Sequence, residues 1–206
     1  MKKLIILLSL ISSAGFSQVK MMTKASENLE TVTLAGGCYW CVEAVYEQLD
    51  GVTSAVSGFA GGKMANPSYG DVSNGDTGYA EAVQITYDKT KTNLDEILKV
   101  FFTVHDPTTL NRQGADVGTQ YRSAIFYKND VQKKAAQSVI AALTKAKVYE
   151  KPIVTTLEPL TKFYKAEDYH QDYYQNNKNQ PYCQMVIQPK MEKFEKVFKD
   201  RLKKKK

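Results

Sequence analysis

Three cysteines, one glutamate and a scatter of tyrosines carry the chemistry open to this sequence. Cys38 and Cys41 stand in Gly37-Cys-Tyr-Trp-Cys41, where a short strand over 31–35, closing in Gly36-Gly37, meets the start of a helix. Unpaired backbone N–H groups and the helix dipole at such a junction favour negative charge. Cys38 is therefore expected to have a lowered pKa and a larger share of thiolate, the form that attacks. Cys41 follows one helical turn later, within disulfide reach. By itself the CxxC spacing fits a redox pair, half of a zinc site, a structural disulfide or a haem attachment. Haem attachment requires a histidine after the second cysteine, and position 42 is valine. Zinc would have to draw further ligands from Cys183 and two histidines, with no second CxxC, so no metal is expected.

Glu81 is the second chemical group. In a strand over 80–87 its side chain shares a face with Val83, Ile85 and Tyr87, which puts a carboxyl at the end of an apolar stripe. A buried carboxyl has a raised pKa and stays protonated, and a protonated glutamate near neutral pH is a general acid. The alternative is a strand-opening glutamate whose side chain still reaches water. Tyr69, Tyr79 and Tyr121 sit in or beside polar loops. Their hydroxyls either donate hydrogen bonds to a polarised oxygen or belong to packing aromatics. Asp116, His105 and Asp106 fall in a second polar loop, where turn roles are the ordinary ones. His170, among Glu167, Asp168 and Gln171, reads as hydrogen-bonded structure.

Apolar periodicity lays out the elements that must position these groups. The helix beginning at the cysteines carries Val42, Val45, Tyr46 and Leu49 on one face and stops at Asp50-Gly51. A second strand covers 52–59, a loop rich in Gly, Ser and Asn covers 60–79, and the third strand covers 80–87. Long loops without structure of their own are usually functional or disordered, and the turn residues and aromatics here favour function. Asn93 caps the next helix, with Glu96 in a capping-box position and Ile97, Val100, Phe101 and Val104 on its apolar face. A polar loop over 105–120 leads to a fourth strand over 121–127, a helix over 131–147 and a fifth strand over 153–157. A polar, aromatic stretch from Ala166 contains Cys183, and a basic helix over 191–202 follows. The order β-α-β-β-α-β, then α and β, is the ferredoxin-like split β-α-β pattern. It predicts an α+β two-layer sandwich with a mostly antiparallel or mixed sheet and extended loops.

The 206 residues suffice for one domain with a sizeable core. Hydrophobic content of 43% with 24% charged residues points to a globular chain rather than a disordered one. Lys2 and Lys3, the apolar run 4–11 and the small residues 12–15 have the layout of a signal peptide. The apolar run is too short to span a bilayer comfortably. The expected division is a signal peptide over 1–17, a flexible lead over 18–29, a main domain over 30–190, and a basic helix with a lysine tail over 191–206. Export to the periplasm or beyond follows, with no stable membrane insertion after cleavage. The net charge of +6 rests partly on the terminal lysine run from Lys203, read as a solvated tail. No basic-aromatic module accompanies it, so nucleic acid is not an expected partner. Export permits disulfides, but three cysteines are too few for a disulfide scaffold, and redox chemistry is the better expectation.

Gly37-Cys-Tyr-Trp-Cys41 resembles the GCFWC-type motif of the A-type methionine sulfoxide reductases. Gly78-Tyr-Ala-Glu81, His105-Asp-Pro107, Asp116-Val-Gly-Thr-Gln-Tyr-Arg-Ser123 and Ala166-Glu-Asp-Tyr-His-Gln171 resemble further segments of that family, in the same order. The resemblance covers roughly residues 30–190, far more than a lone CxxC. Tyr39 stands in place of the usual phenylalanine, and Tyr79 where the family often has histidine. The resemblance implies that Cys38 attacks the sulfoxide sulfur, that Glu81 protonates the departing oxygen, and that Tyr69 and Tyr121 hydrogen-bond that oxygen. It further implies that Asp116 supports the polar network and that Tyr39 and Trp40 enclose the substrate methyl group. Methionine and a Cys38 sulfenic acid are the products, and Cys183 is expected to resolve the sulfenic acid as a disulfide first, or to share that role with Cys41. The family implies preference for the S epimer, free or in oxidised proteins and peptides, and a thioredoxin-like external reductant. No bound cofactor is expected, because no GxGxxG follows a strand. A monomer is expected. Two other readings remain open on the residues alone: a thioredoxin-like thiol-disulfide oxidoreductase, and a secreted binding module with a Cys41–Cys183 bridge.

Overall fold

The computed structural model describes residues 27–204. The expected signal peptide over 1–17 and most of the lead over 18–29 lie outside the described residues, as do Lys205 and Lys206.

The chain is α+β. It runs β1 (Leu29–Gly36), α1 (Tyr39–Gln48), β2 (Val52–Ala60), α2 (Tyr69–Ser73), β3 (Ala80–Asp88) and α3 (Leu94–Val104). Then come β4 (Arg112–Gln113), β5 (Asp116–Val117), β6 (Ser123–Tyr127), α4 (Asp130–Lys145), β7 (Thr156–Pro159) and β8 (Phe163–Lys165). The short helix α5 (Tyr173–Asn176), a wide turn over Cys183–Ile187 and α6 (Gln188–Val197) complete the described chain, with a 3₁₀ turn at Lys199–Arg201. Six strands form one sheet in the order β7-β6-β1-β3-β2-β8, and β4 pairs with β5 apart from it. Every pair in the large sheet is antiparallel except β6–β7, so the sheet is mixed.

Register explains the core. Leu34 lies opposite both Val83 of β3 and Ile125 of β6, and Val32 lies opposite Ile85. These side chains form one apolar row, because alternate residues of a strand share a face. The row is fully buried with α1, α3 and α6 packed in the same core, and each such side chain stabilises by roughly 1.5–3 kcal/mol. The α3 face of Ile97, Val100, Phe101 and Val104 is buried there as expected. Tyr46 of α1, also buried, donates its hydroxyl to the Ile97 carbonyl at 2.8 Å, tying the two helices. The opposite face of the sheet is made of small residues, Ala35, Ala60, Ala80, Ala82 and Ala124, closed by Phe126 and by Leu160 and Phe163. The first half of β3 is thus buried on both faces.

The structure departs from the sequence reading in several places. The 60–79 segment is not all loop: α2 lies within it, started by a reciprocal cap between Ser68 and Asp71. That Ser-x-x-Asp signature was present in the sequence. At α3, Asn93 accepts from the Glu96 N–H at 2.9 Å, but Glu96 does not return the bond; its carboxylate lies 4.0 Å from Arg201. The fourth strand begins at Ser123, so Tyr121 sits in a 3₁₀ turn, Thr119–Tyr121, that precedes it. The fifth strand lies two to three residues later than expected, and β8 was not foreseen. The last helix begins at Gln188 rather than 191. The lysine run is not wholly a solvated tail. Lys203 donates its backbone N–H to Gln48 and its ammonium to Glu47, and Leu202 bridges to Leu49. The C-terminus therefore folds back onto the end of α1.

Between β1 and α1 the chain turns at Gly37, with φ +91°. A Cβ there would stand 2.5 Å from Cγ of Gln113. Gln113 accepts from the Asp106 N–H and donates to the Asp106 carbonyl, both at 3.1 Å, so it has no freedom to yield. Gly37→Ala is expected to lower unfolding free energy by about 1–3 kcal/mol in urea titration, from left-handed strain alone, with the clash adding to it.

Candidate active site

Cys38 is the N-cap residue of α1 and makes no side-chain capping bond. The first turn of the helix is capped from elsewhere. Glu81, on the core face of β3 opposite Phe59, accepts the Tyr39 backbone N–H at 3.0 Å. Glu81 is 2% exposed. Burial drives its pKa up to about 8, against the pull of the Tyr39 N–H, with Asp116 and Cys41 adding to the rise. The carboxyl is therefore protonated at neutral pH.

The thiols behave differently from the sequence expectation. Cys38 is raised well above the ordinary cysteine range, first by burial, then by the hydrogen bond and charge of Cys41 and by the charge of Glu81. The helix N–H that would have steadied a Cys38 thiolate is given to Glu81, and the enclosing side chains remove water. Cys41 is drawn down to about 7, chiefly through its hydrogen bond with Cys38. The two thiols titrate as a pair, with Cys38 pushed toward the neutral form and Cys41 toward the ionised one. Cys183 is fully buried in the wide turn before α6. Its pKa rises through burial and then through the charge of Cys41. All three cysteines are free thiols. No cluster of three or more metal-ligating side chains occurs among the described residues.

Tyr69 opens α2, with its backbone N–H donated to Glu167 at 3.0 Å. Tyr121 comes from the 3₁₀ turn before β6. Both hydroxyls are raised, first by burial and next by the charge of Glu81, with Cys38 also contributing. Two tyrosines from distant segments thus converge on the glutamate and the first cysteine. Asp116, on β5, accepts the Tyr182 hydroxyl at 2.8 Å. Tyr182 is raised by its own burial and then by the charges of Cys38 and Cys41. Trp40 lies flat on Tyr173, with ring centroids 3.7 Å apart, and edge-on to Tyr182 at 5.9 Å. Tyr39, 6.0 Å from Trp40, is almost fully buried.

Sequence reasoning passed over Tyr182 and Tyr173. Their signal was the density of aromatics around Cys183, where only the cysteine was read as chemical. The expectation for His170 fails at its side chain: the backbone N–H reaches the Glu167 carbonyl at 2.9 Å, but neither ring nitrogen has a partner among the described residues. The ring packs instead among Tyr39, Trp40, Tyr69 and Tyr169, 4.1–5.6 Å between centroids. His105 and Asp106 stand outside this ring of side chains. His105 is bonded to the Phe101 carbonyl and the Ser123 hydroxyl, and Asp106 closes a turn on Thr108. Tyr79 donates its hydroxyl to the Met64 carbonyl and holds the 61–68 stretch.

This arrangement supplies a thiol, a second thiol one helical turn on, a buried carboxyl acid and phenol donors, set among aromatic rings. Comparison with known proteins agrees with it. The family model "Peptide methionine sulfoxide reductase" matches residues 30–202. The chain is 55% identical to peptide methionine sulfoxide reductase MsrA 1 of Rhodopirellula baltica, across 90% of this chain and 94% of that relative. Among solved structures, reduced Mxr1 from Saccharomyces cerevisiae superposes with a TM-score of 0.70 at 34% identity, covering 76% of this chain and 90% of that one. Mxr1 in complex with Trx2 gives a TM-score of 0.50 at 25% identity, covering 71% and 86%. With a family match over residues 30–202 and the thiols, the acid and the tyrosines drawn together by the fold, this protein belongs to the peptide methionine sulfoxide reductase family.

Proposed function

We propose that this enzyme reduces the S epimer of methionine sulfoxide, in oxidised proteins and peptides and as the free amino acid, and so repairs oxidative damage. The observation that carries the reading is the protonated, buried Glu81 bonded to the first turn of the helix that Cys38 caps. A sulfoxide oxygen departs only once protonated. Glu81 donates that proton, and the Tyr69 and Tyr121 hydroxyls share the developing charge. Cys38 gives up its proton to solvent as it attacks the sulfur, and the S–S bond so formed breaks as the protonated oxygen moves to the Cys38 sulfur. Oxygen ends on Cys38 as a sulfenic acid, and methionine leaves. Asp116 holds the Tyr182 hydroxyl in the network. Trp40, braced on Tyr173, and Tyr39 beside it enclose the substrate methyl group.

Resolution runs first through Cys41. Its thiolate attacks the Cys38 sulfenic sulfur, a disulfide forms, and hydroxide leaves to become water. Cys183 then attacks Cys41, freeing Cys38 and leaving a Cys41–Cys183 disulfide for an external reductant of the thioredoxin type. Supporting this order are the one-turn spacing of the two cysteines, with the Cys41 N–H donated to the Cys38 carbonyl at 3.1 Å, and the Cys41 charge that raises the pKa of buried Cys183. The Trx2 complex of the yeast relative supports the class of donor. We also read the four-strand core, in the order β6-β1-β3-β2 with antiparallel neighbours, as a ferredoxin-like split β-α-β unit. The catalytic domain is assigned to 30–190, and the chain is proposed to act as a monomer exported through a signal peptide over 1–17. Mass measurement of the protein recovered from the periplasm should give a mature chain beginning near residue 18, and an intact residue 1 would refute export by cleavage.

The mature protein with dithiothreitol should consume only the S epimer of an N-blocked methionine sulfoxide. Cys38→Ser should abolish the reaction, and turnover of neither epimer would overturn the assignment. Its rate should fall as pH rises through about 8, where Glu81 loses its proton. Glu81→Gln should lose about 10²–10⁴-fold in rate together with that limb of the pH profile. Cys183→Ser should still reduce one equivalent of sulfoxide and form the Cys38–Cys41 disulfide without added reductant, while thioredoxin-dependent turnover falls. Full thioredoxin-dependent turnover by Cys183→Ser would remove Cys183 from the relay.

A further inference from the structure

We infer that Lys190 is the positioning residue that holds Cys41 as a thiolate and so sets the rate at which the Cys38 sulfenic acid is resolved. The inference rests on the reductase reading and deepens it. Cys41 and Lys190 line the same narrow, partly open cavity, which is otherwise walled by Gly36, Val42, Val45, Phe101, Val104 and His105. Its volume is about 10 Å³, room for a single water at most. The two residues thus share one small, largely apolar space with little room for water between its walls. None of Glu81, Tyr69, Tyr121 or Trp40 lines this cavity. Lys190 thus reaches Cys41 from a side that the sulfoxide pocket does not occupy.

Lys190 is the cation here. His105 faces the cavity too, but burial holds its pKa down near 4 and it stays neutral. Lys193, one turn further along α6, donates its ammonium to the Thr103 carbonyl at 2.7 Å. None of the three ion pairs among the described residues engages Lys190. The other groups facing Cys41 are the Cys38 thiol, Glu81 from β3, Asp116 from β5, and Tyr182 and Cys183 from the turn before α6. Of these, Asp116 opposes ionisation of Cys41 and Lys190 favours it. Lys190 also lines an open cleft of about 630 Å³ on the outer side of Val104 and His105. That cleft leaves Lys190 partly open to solvent. In the resolving step the Cys41 thiolate forms the bond to the Cys38 sulfur as the sulfenic S–O bond breaks. Cys41 is oxidised, the Cys38 sulfur is reduced, and the leaving hydroxide takes a proton from solvent.

The experiment mixes reduced full-length protein with one equivalent of the S epimer, without reductant, across pH 6–9. Methionine release reports the first step. Disulfide formation, and dimedone capture of the sulfenic acid, report the second. Lys190→Met keeps the length and packing of the stem and removes the charge, and Lys190→Arg keeps the charge. Methionine release is expected to match in all three proteins. Lys190→Met should form the disulfide about tenfold more slowly at pH 7, with its pH midpoint moved up toward the ordinary cysteine value, and should accumulate dimedone adduct. Lys190→Arg should recover most of the rate. An unchanged rate and midpoint in Lys190→Met would overturn the inference, whereas absence of methionine release from the unaltered protein would overturn the reductase reading itself.

Discussion

The bond from the Tyr39 backbone N–H to the Glu81 carboxyl organises this molecule's chemistry. A helix start leaves unsatisfied N–H groups, and burying them without a partner is costly. The chain meets that demand with an acid from the neighbouring β3 strand. One contact therefore does three things. It joins α1 to the sheet, it fixes the carboxyl beside Cys38, and it sets the proton inventory of the pocket. Because the acceptor is nine-tenths buried or more, desolvation outweighs the single N–H bond and the acid keeps its proton. Because that N–H is spent on Glu81, the thiol at the helix start gains little from the dipole and keeps its proton as well.

Around that contact the fold converges segments that are far apart in sequence. The β1–α1 turn brings Cys38 and Cys41, β3 brings Glu81, α2 brings Tyr69, and the turn before β6 brings Tyr121. The small hairpin of β4 and β5 brings Asp116, and the C-terminal segment brings Tyr173, Tyr182 and Cys183. That last segment is anchored by Ile187, Met191, Phe194 and Phe198 in the main core and by the return of Leu202 and Lys203 to the end of α1. The same anchoring that buries Cys183 also delivers Lys190 to the far side of Cys41. Packing of one amphipathic helix thus couples the second and third thiols to the first.

The aromatic wall has its own logic. Trp40 is stacked on Tyr173 and edged by Tyr182, and His170 sits within the same group of rings. Large, rigid rings lose little entropy on ordering and exclude water from the sulfur chemistry. The histidine serves here as a ring among rings.

The sequence alone determined the reactive groups and the main elements. The Gly37–Cys41 motif and alternation along β3 singled out Cys38, Cys41 and Glu81. The 3.6-residue periodicity placed α1 and α3, because amphipathic patterns are local and strong. Local patterns also had a limit. The short helix α2, the edge strand β8 and the roles of Tyr173, Tyr182 and Lys190 depend on contacts between segments tens of residues apart, which no local window records. Ionisation is the clearest case. A helix start by itself predicts an acidic Cys38, and only the tertiary structure shows where the helix N–H goes and how far water is excluded. Those two quantities decide which thiol holds the proton, since a charge in a pocket is set by everything that faces it rather than by its own element.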